Sequence, residues 1–213
     1  MTVTTTRQQA PGALVRRPLL PVLAYVALTA GYVAANRDTP HPDASGSEVL
    51  EYAASHGTAI TLGAVLLAAA AIPLVLAATA LLRGRVPRGA VRAWALGGAG
   101  LAGIALVASA VFAFLGGRLD AGADPDRARE LADWSFLAGG PAFAVGCALF
   151  LAATAVAAGL PRAARVTGFV LAAAGLLSVL TVAADAFGYL LPLVRFGGLI
   201  WLVAVTVTLR RGR

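Results

Sequence analysis

Residues 58 to 82 read TAITLGAVLLAAAAIPLVLAATALL, an apolar stretch that carries no charge and ends on Arg83. Crossing the hydrocarbon core of a bilayer takes about 20 such residues as a helix. The stretch shows no polar alternation of the kind a membrane β-strand would need. An α-helix, which satisfies its own backbone hydrogen bonds, is the consistent reading. Working outward, runs of comparable character lie at 18–36, 91–115, 134–158 and 166–190, and a shorter one at 193–209 ends on Arg210, Arg211 and Arg213. The expected fold is an all-α, polytopic membrane helical bundle of six transmembrane helices. Residues 1–17 form a polar tail, and 18–213 form a single transmembrane domain.

Composition points the same way. A chain of 213 residues that is 59% hydrophobic and 13% charged cannot hide that much apolar surface inside one soluble domain. A net charge of +7 raises the question of nucleic acid, but all seventeen basic residues are Arg and sit in short groups between apolar runs. That distribution marks membrane-flanking anchors and excludes a nucleic-acid face. Absence of Lys with abundant Ala, Gly, Arg and Val suggests a GC-rich bacterial source.

Sorting charge by connection tests the span count independently of hydropathy. The tail, the loop from Arg83 to Arg92, the loop from Arg162 to Arg165 and the C-terminus hold twelve arginines and no acid. The alternate connections hold Arg37, Arg118, Arg127, Arg129 and Arg195 together with all ten carboxylates. Under the positive-inside rule the first set is cytoplasmic, giving a bacterial plasma membrane protein with both termini in the cytoplasm and membrane lipids as its surroundings. Val33-Ala34-Ala35 also allows a cleavable signal peptide, although the run before it is longer than a usual signal core.

Within the acidic connections, Ser45 with Glu48 forms a capping-box pattern, and Asp124-Pro125 a helix start. Each predicts a short helix leading into the next span. Ala77-Ala78-Thr79-Ala80 has a counterpart in Ala152-Ala153-Thr154-Ala155, and Pro87-Arg88 in Pro161-Arg162, which suggests that spans 2–3 and 4–5 are a duplicated helical hairpin. Gly97, Gly100 and Gly103, beside Ala95 and Ala99, predict close helix packing within the monomer, with a homo-oligomer face as the second use. Pro73 and Gly139-Gly140-Pro141 predict kinks. Cys147 reads as a buried apolar side chain rather than a reactive thiol.

The polar residues expected to carry function gather near one membrane boundary: His56, Asp133, Asp185 and Arg195. Asp185, with Thr181 and Tyr189 at helical spacing, falls ~29 Å along a helix begun at Val166. Arg195 follows across a Leu191-Pro192 turn, so an Asp185 to Arg195 ion pair is the structural reading and a ligand or proton site the functional one. His41 and His56 lie among carboxylates without the spacing of a metal signature, so no metal or other cofactor is expected. No nucleophile elbow, phosphate loop, dinucleotide fingerprint or metalloprotease motif is present.

Taken with His56-Gly57 and Leu137-Ala138-Gly139-Gly140-Pro141-Ala142-Phe143, the segment Pro192-Leu193-Val194-Arg195-Phe196-Gly197-Gly198-Leu199-Ile200-Trp201-Leu202 resembles a family of uncharacterised actinobacterial membrane proteins. It is grouped under a bacterial domain of unknown function numbered four-three-eight-six. The resemblance spans about Glu48 to Arg210 and implies a multi-span helical fold in a bacterial plasma membrane, with no activity attached. The expected function is a non-enzymatic sensor, accessory or ligand-binding bundle. A small transporter of a lipophilic substrate is the alternative, and an intramembrane enzyme using His56 with Asp133 or Asp185 the third reading.

Overall fold

The computed structural model describes residues 19–83, 89–156 and 160–211. Among them every regular element is helical: α1 (Leu19–Ala35), α2 (Gly46–Leu82), α3 (Ala90–Gly116), α4 (Pro125–Leu137), a π turn (Ala138–Ala142), α5 (Phe143–Val156), α6 (Arg162–Leu177), two 3-10 turns (Ser178–Val182 and Asp185–Tyr189) and α7 (Leu190–Arg211). Five segments are long and apolar enough to cross a membrane, with α4, the π turn and α5 forming one of them, while α1 is a shorter apolar helix of 17 residues. The chain is a multi-pass membrane protein, an all-helical bundle with large apolar side chains turned outward on every span. Ile72, Ile104, Val170 and Ile200 are all more than half exposed, a surface that suits lipid and would not stay dispersed in water.

The helices stand in a ring, in the order α1, α2, α3, α5, α6, α7, and the seam where α7 returns to α1 is the thinnest. Its tightest crossing is between α3 and α5. A Cβ on Gly98 would lie 2.5 Å from the Phe150 amide, and one on Gly146 would lie 2.4 Å from the Ala102 amide. Backbone touching backbone maximises dispersion where lipid removes the hydrophobic drive between helices. Of the expected small residues, Ala95, Ala99 and Gly103 are buried, while two glycines are not used. Gly97 and Gly100 have nothing within 4 Å of a Cβ position, and only Gly103 of the three packs, against Val75 of α2. Around this crossing lies one apolar core that includes Leu74, Leu106, Leu151 and Phe143. Trp201 donates to the Ala164 carbonyl at 2.7 Å and meets Phe150 edge to face, fastening α7 to α6 and α5.

Both short lead-in helices form as the capping signals require. Ser45 and Glu48 make a complete capping box, and the two hydrogen bonds from Ser45 hold the Glu48 carboxyl below its ordinary value of 4.5. Asp124 accepts from the Asp126 amide, with Pro125 in the first turn. In α2 the chain changes direction at His56 (φ −121°, ψ 18°), the only residue of that helix with non-helical dihedrals; Pro73 stays within the helical stretch. Thr79 and Thr154 each bond the carbonyl four residues back at 2.7 Å. Pro87-Arg88, the expected counterpart of Pro161-Arg162, lies outside the described residues, as does the tail.

The fifth run departs most from expectation. No helix spans 166–190: α6 stops at Leu177, and Ser178, fully buried, donates to the Gly175 carbonyl at 2.7 Å. A hydroxyl competing for a ladder carbonyl, followed by β-branched Val179, Thr181 and Val182, tightens the chain into 3-10 geometry. Asp185 then opens a second 3-10 turn, exposed and at the start of the last membrane-crossing segment instead of late in the one before it. α7 begins at Leu190, so Pro192 occupies its first turn, where a missing N–H costs nothing. As a result Arg195 belongs to α7 itself.

The crossing yields a direct test. Gly146→Ala should destabilise the purified protein by at least ~1–3 kcal/mol, because the new methyl meets main chain that cannot step aside. Gly97→Ala, pointing into open space, should stay within about 0.5 kcal/mol of the parent. Thermal unfolding of both variants in detergent reads the difference.

Candidate functional site

At the end of the bundle that carries the carboxylates, the helices part around a cavity of about 380 Å³. Its wall is assembled from Tyr32 of α1 and Asn36 just after it, Tyr52 and Ile60 of α2, Ser109 and Phe112 of α3, Arg129, Asp133 and Phe136 of α4, Gly139 of the π turn, Phe143 of α5, and Pro192, Arg195 and Phe196 of α7. Thr39, Pro40, His41 and Pro42 border it from the α1–α2 connection. The size falls within the ~300–1,000 Å³ of small-molecule sites, and so does the pattern of apolar walls with few polar groups.

Local chemistry explains why Arg195 sits there. Pro141 cannot donate to a helical ladder, and the two glycines before it let the backbone widen into a π turn. Phe143 bonds the carbonyls of Ala138 and Gly140, passing over Gly139, whose oxygen would be its ordinary partner four residues back. Arg195 Nη2 donates to that Gly139 oxygen at 2.6 Å. The guanidinium carbon also lies 5.1 Å from the Phe143 ring centre and 5.5 Å from that of Tyr32, distances at which an aromatic face attracts a cation. Neither a hydrogen bond nor an ion pair joins Arg195 to an acid among the described residues.

Several of the other polar groups are paired. Arg129 clamps Asp133 with both Nη2 to Oδ1 at 2.9 Å and Nε to Oδ2 at 3.1 Å, and its other terminal nitrogen donates to the Ala44 carbonyl. That ties α4 to the start of the α2 lead-in helix. Ser109, 3% exposed, donates to the Ser135 carbonyl at 2.8 Å, and Ser135 returns the bond to the Ser109 carbonyl at 3.0 Å. Asn36 bonds the Tyr32 carbonyl at 3.0 Å while lying over Gly63, where a Cβ would collide with it.

Of the four residues expected to form a polar layer, the cavity unites two, Asp133 and Arg195. His56 is one side chain removed: exposed at the bend of α2, it stacks on Tyr52 at 4.5 Å and bonds Ser55 at 2.8 Å, touching no acid. Asp185 lies apart and exposed, without a hydrogen bond or ion pair to any described residue, so the expected Asp185 to Arg195 pair is not formed. The reason is the shortened α6, which leaves Asp185 exposed at the start of the last segment while Arg195 lies in the cavity wall. His41 pairs with Asp43 at 3.1 Å, and among the described residues no three His, Cys, Asp or Glu side chains converge.

Sequence reasoning missed Tyr32, Tyr52, Ser109, Arg129, Ser135 and the Gly139 carbonyl. Two signals could have found part of the set: the four-residue spacing of Arg129 and Asp133 on a helix already read from its cap, and Ser109 as a lone hydroxyl in an apolar span. Models of known families match none of the chain, and comparison with curated proteins and with solved structures gives no match.

The paired serines make a testable tether. Ser109→Ala removes the hydroxyl donor to the Ser135 carbonyl, which keeps only the Ala138 amide, so unfolding stability should fall by ~0.5–1.5 kcal/mol. Equilibrium unfolding against Ser47→Ala, whose hydroxyl is exposed, should show the loss only for Ser109.

Proposed function

We propose that this protein is a non-enzymatic ligand-binding bundle, of the sensor or accessory type, which takes an amphipathic molecule into the cavity lined by Asp133 and Arg195. The observation that carries this reading is the combination of mostly apolar walls with one guanidinium that lacks a carboxylate partner. A charged group without a counter-ion is costly among spans and marks a functional position. Passage across the membrane is the weaker reading. Beyond the cavity the bundle interior is filled by the apolar core around Leu74, Leu106 and Leu151, which offers no polar pathway for an ion or sugar and leaves the cavity closed toward the other end, in favour of binding over transport. Catalysis would need a nucleophile and a base at one point, and His56 bonds only Ser55 and Tyr52.

The reading includes a placement. Twelve arginines on one set of connections and ten acids on the other support a cytoplasmic Arg-rich end and an outward-facing cavity. The all-Arg basic composition and the resemblance carried by Pro192 to Leu202 support a bacterial plasma membrane. In a Cys147→Ala background, Asp120→Cys should react with a membrane-impermeant maleimide in intact cells, and Arg92→Cys only after permeabilisation. The reverse pattern would contradict the orientation.

Binding itself is tested by filling the cavity. Protein purified in mild detergent should carry a bound amphiphile detectable by native mass spectrometry, and Ala132→Phe, on the cavity wall, should lose it without loss of folding. Equal retention by both proteins would place any bound molecule elsewhere.

A further inference from the structure

We infer that the cavity is a site for a single-chain amphiphile with an oxyanion headgroup, which Arg195 grips and which enters from the surrounding leaflet between α1 and α7. This rests on the ligand-binding reading above and adds the ligand's chemistry and route.

The headgroup follows from charge. Asp133 is the one acid on the cavity wall, and Arg129 already engages both of its oxygens. Arg195 therefore adds a positive charge that nothing on the wall neutralises. A guanidinium has five N–H donors, and a single one is used, on the Gly139 carbonyl. The aromatic rings of Tyr32 and Phe143, 5.5 and 5.1 Å from the guanidinium carbon, attract the cation without accepting its remaining N–H groups in conventional hydrogen bonds. A planar fork with free donors matches a carboxylate or phosphate in bidentate fashion. The tail follows from the wall around it: Ile60, Phe112, Phe136 and Leu191 are apolar. A volume of about 380 Å³ lies at the small end for ligand sites, suited to one chain rather than two.

The route follows from exposure. On α7, Leu193, Phe196 and Ile200 are 48%, 45% and 68% exposed, and their spacing sets them on one face of the helix. That is its lipid face. Phe196 belongs to this stripe and to the cavity wall at once, so the wall reaches the bundle's lipid surface there. Tyr32 of α1 and Asn36 just after it border the cavity, across the thinnest seam of the ring.

The test uses the full chain in phosphatidylcholine nanodiscs at pH 8, with dodecanoate, dodecyl phosphate, dodecanol and inorganic phosphate as probes and thermal stabilisation as the readout. Dodecanoate and dodecyl phosphate should bind at least roughly tenfold more tightly than dodecanol, and Arg195→Gln should erase that preference. Inorganic phosphate should have no effect; stabilisation by it equal to that by dodecanoate would make this a free-anion site and overturn the lipid assignment. Should Arg195→Gln fail to fold, Ala132→Phe decides, since it keeps the guanidinium and should abolish binding of both anionic chains. Dodecanol binding as tightly as dodecanoate, with both lost in Ala132→Phe, overturns this inference and leaves the cavity a ligand site. If Ala132→Phe binds every probe as the parent does, the ligand-binding reading falls with it.

Discussion

Inside a hydrocarbon slab a backbone carbonyl has no water to turn to, so an oxygen released from a helix ladder must find its donor within the protein. In this bundle that constraint is concentrated at Gly139, whose oxygen the Phe143 amide passes over and Arg195 Nη2 takes up at 2.6 Å. One hydrogen bond thus joins the widened turn between α4 and α5 to the opening turns of α7. It also fixes where a formal charge sits among the spans. Tyr32 and Phe143 face that charge, which brings α1 and α5 into the same arrangement, and the cavity is the space these elements enclose.

Two ends of the bundle are built on different principles. Along the α3–α5 crossing the backbones touch at Gly98 and Gly146, and alanines are the commonest side chains of the surrounding core. Packing there is dense and apolar. Toward the acid-rich end the helices separate, and polar tethers take over: Ser109 with Ser135 between α3 and α4, Arg129 to the Ala44 carbonyl between α4 and the α2 lead-in, Arg195 to Gly139. A rigid half supporting a half held by a few directed bonds is an arrangement in which a ligand can be accommodated without unpacking the core.

Much of the fold was legible because bilayer physics leaves few alternatives. Long uncharged runs must be helices, and Ser45, Glu48, Asp124 and Pro125 act locally, so their caps could be read without knowing anything else about the molecule. Where the reading failed, a local signal was overridden. The run from Val166 is apolar well past Leu177, yet one hydroxyl at Ser178 and the β-branched residues after it end the α-helix. The small-residue spacing at Gly97, Gly100 and Gly103 was real, but which face of α3 turned inward depended on α5, and the partner glycine is Gly98. The site was half legible. Asp133 and Arg195 stood out as charges beside spans, whereas their grouping depended on the register of α7, and the Gly139 carbonyl has no side chain to announce it. His56 and Asp185 share the same end of the bundle without sharing its cavity.

The claim on which the functional reading turns is that Arg195 faces a cavity that a bound anion completes. The most direct measurement is a high-resolution experimental map of the protein extracted in native lipid, examined around the guanidinium. Elongated density running from within hydrogen-bonding distance of Arg195 toward Phe196 is the predicted result. A guanidinium turned away to pair with Asp185, with the space between Tyr32, Phe112 and Phe136 closed by side chains, would contradict it.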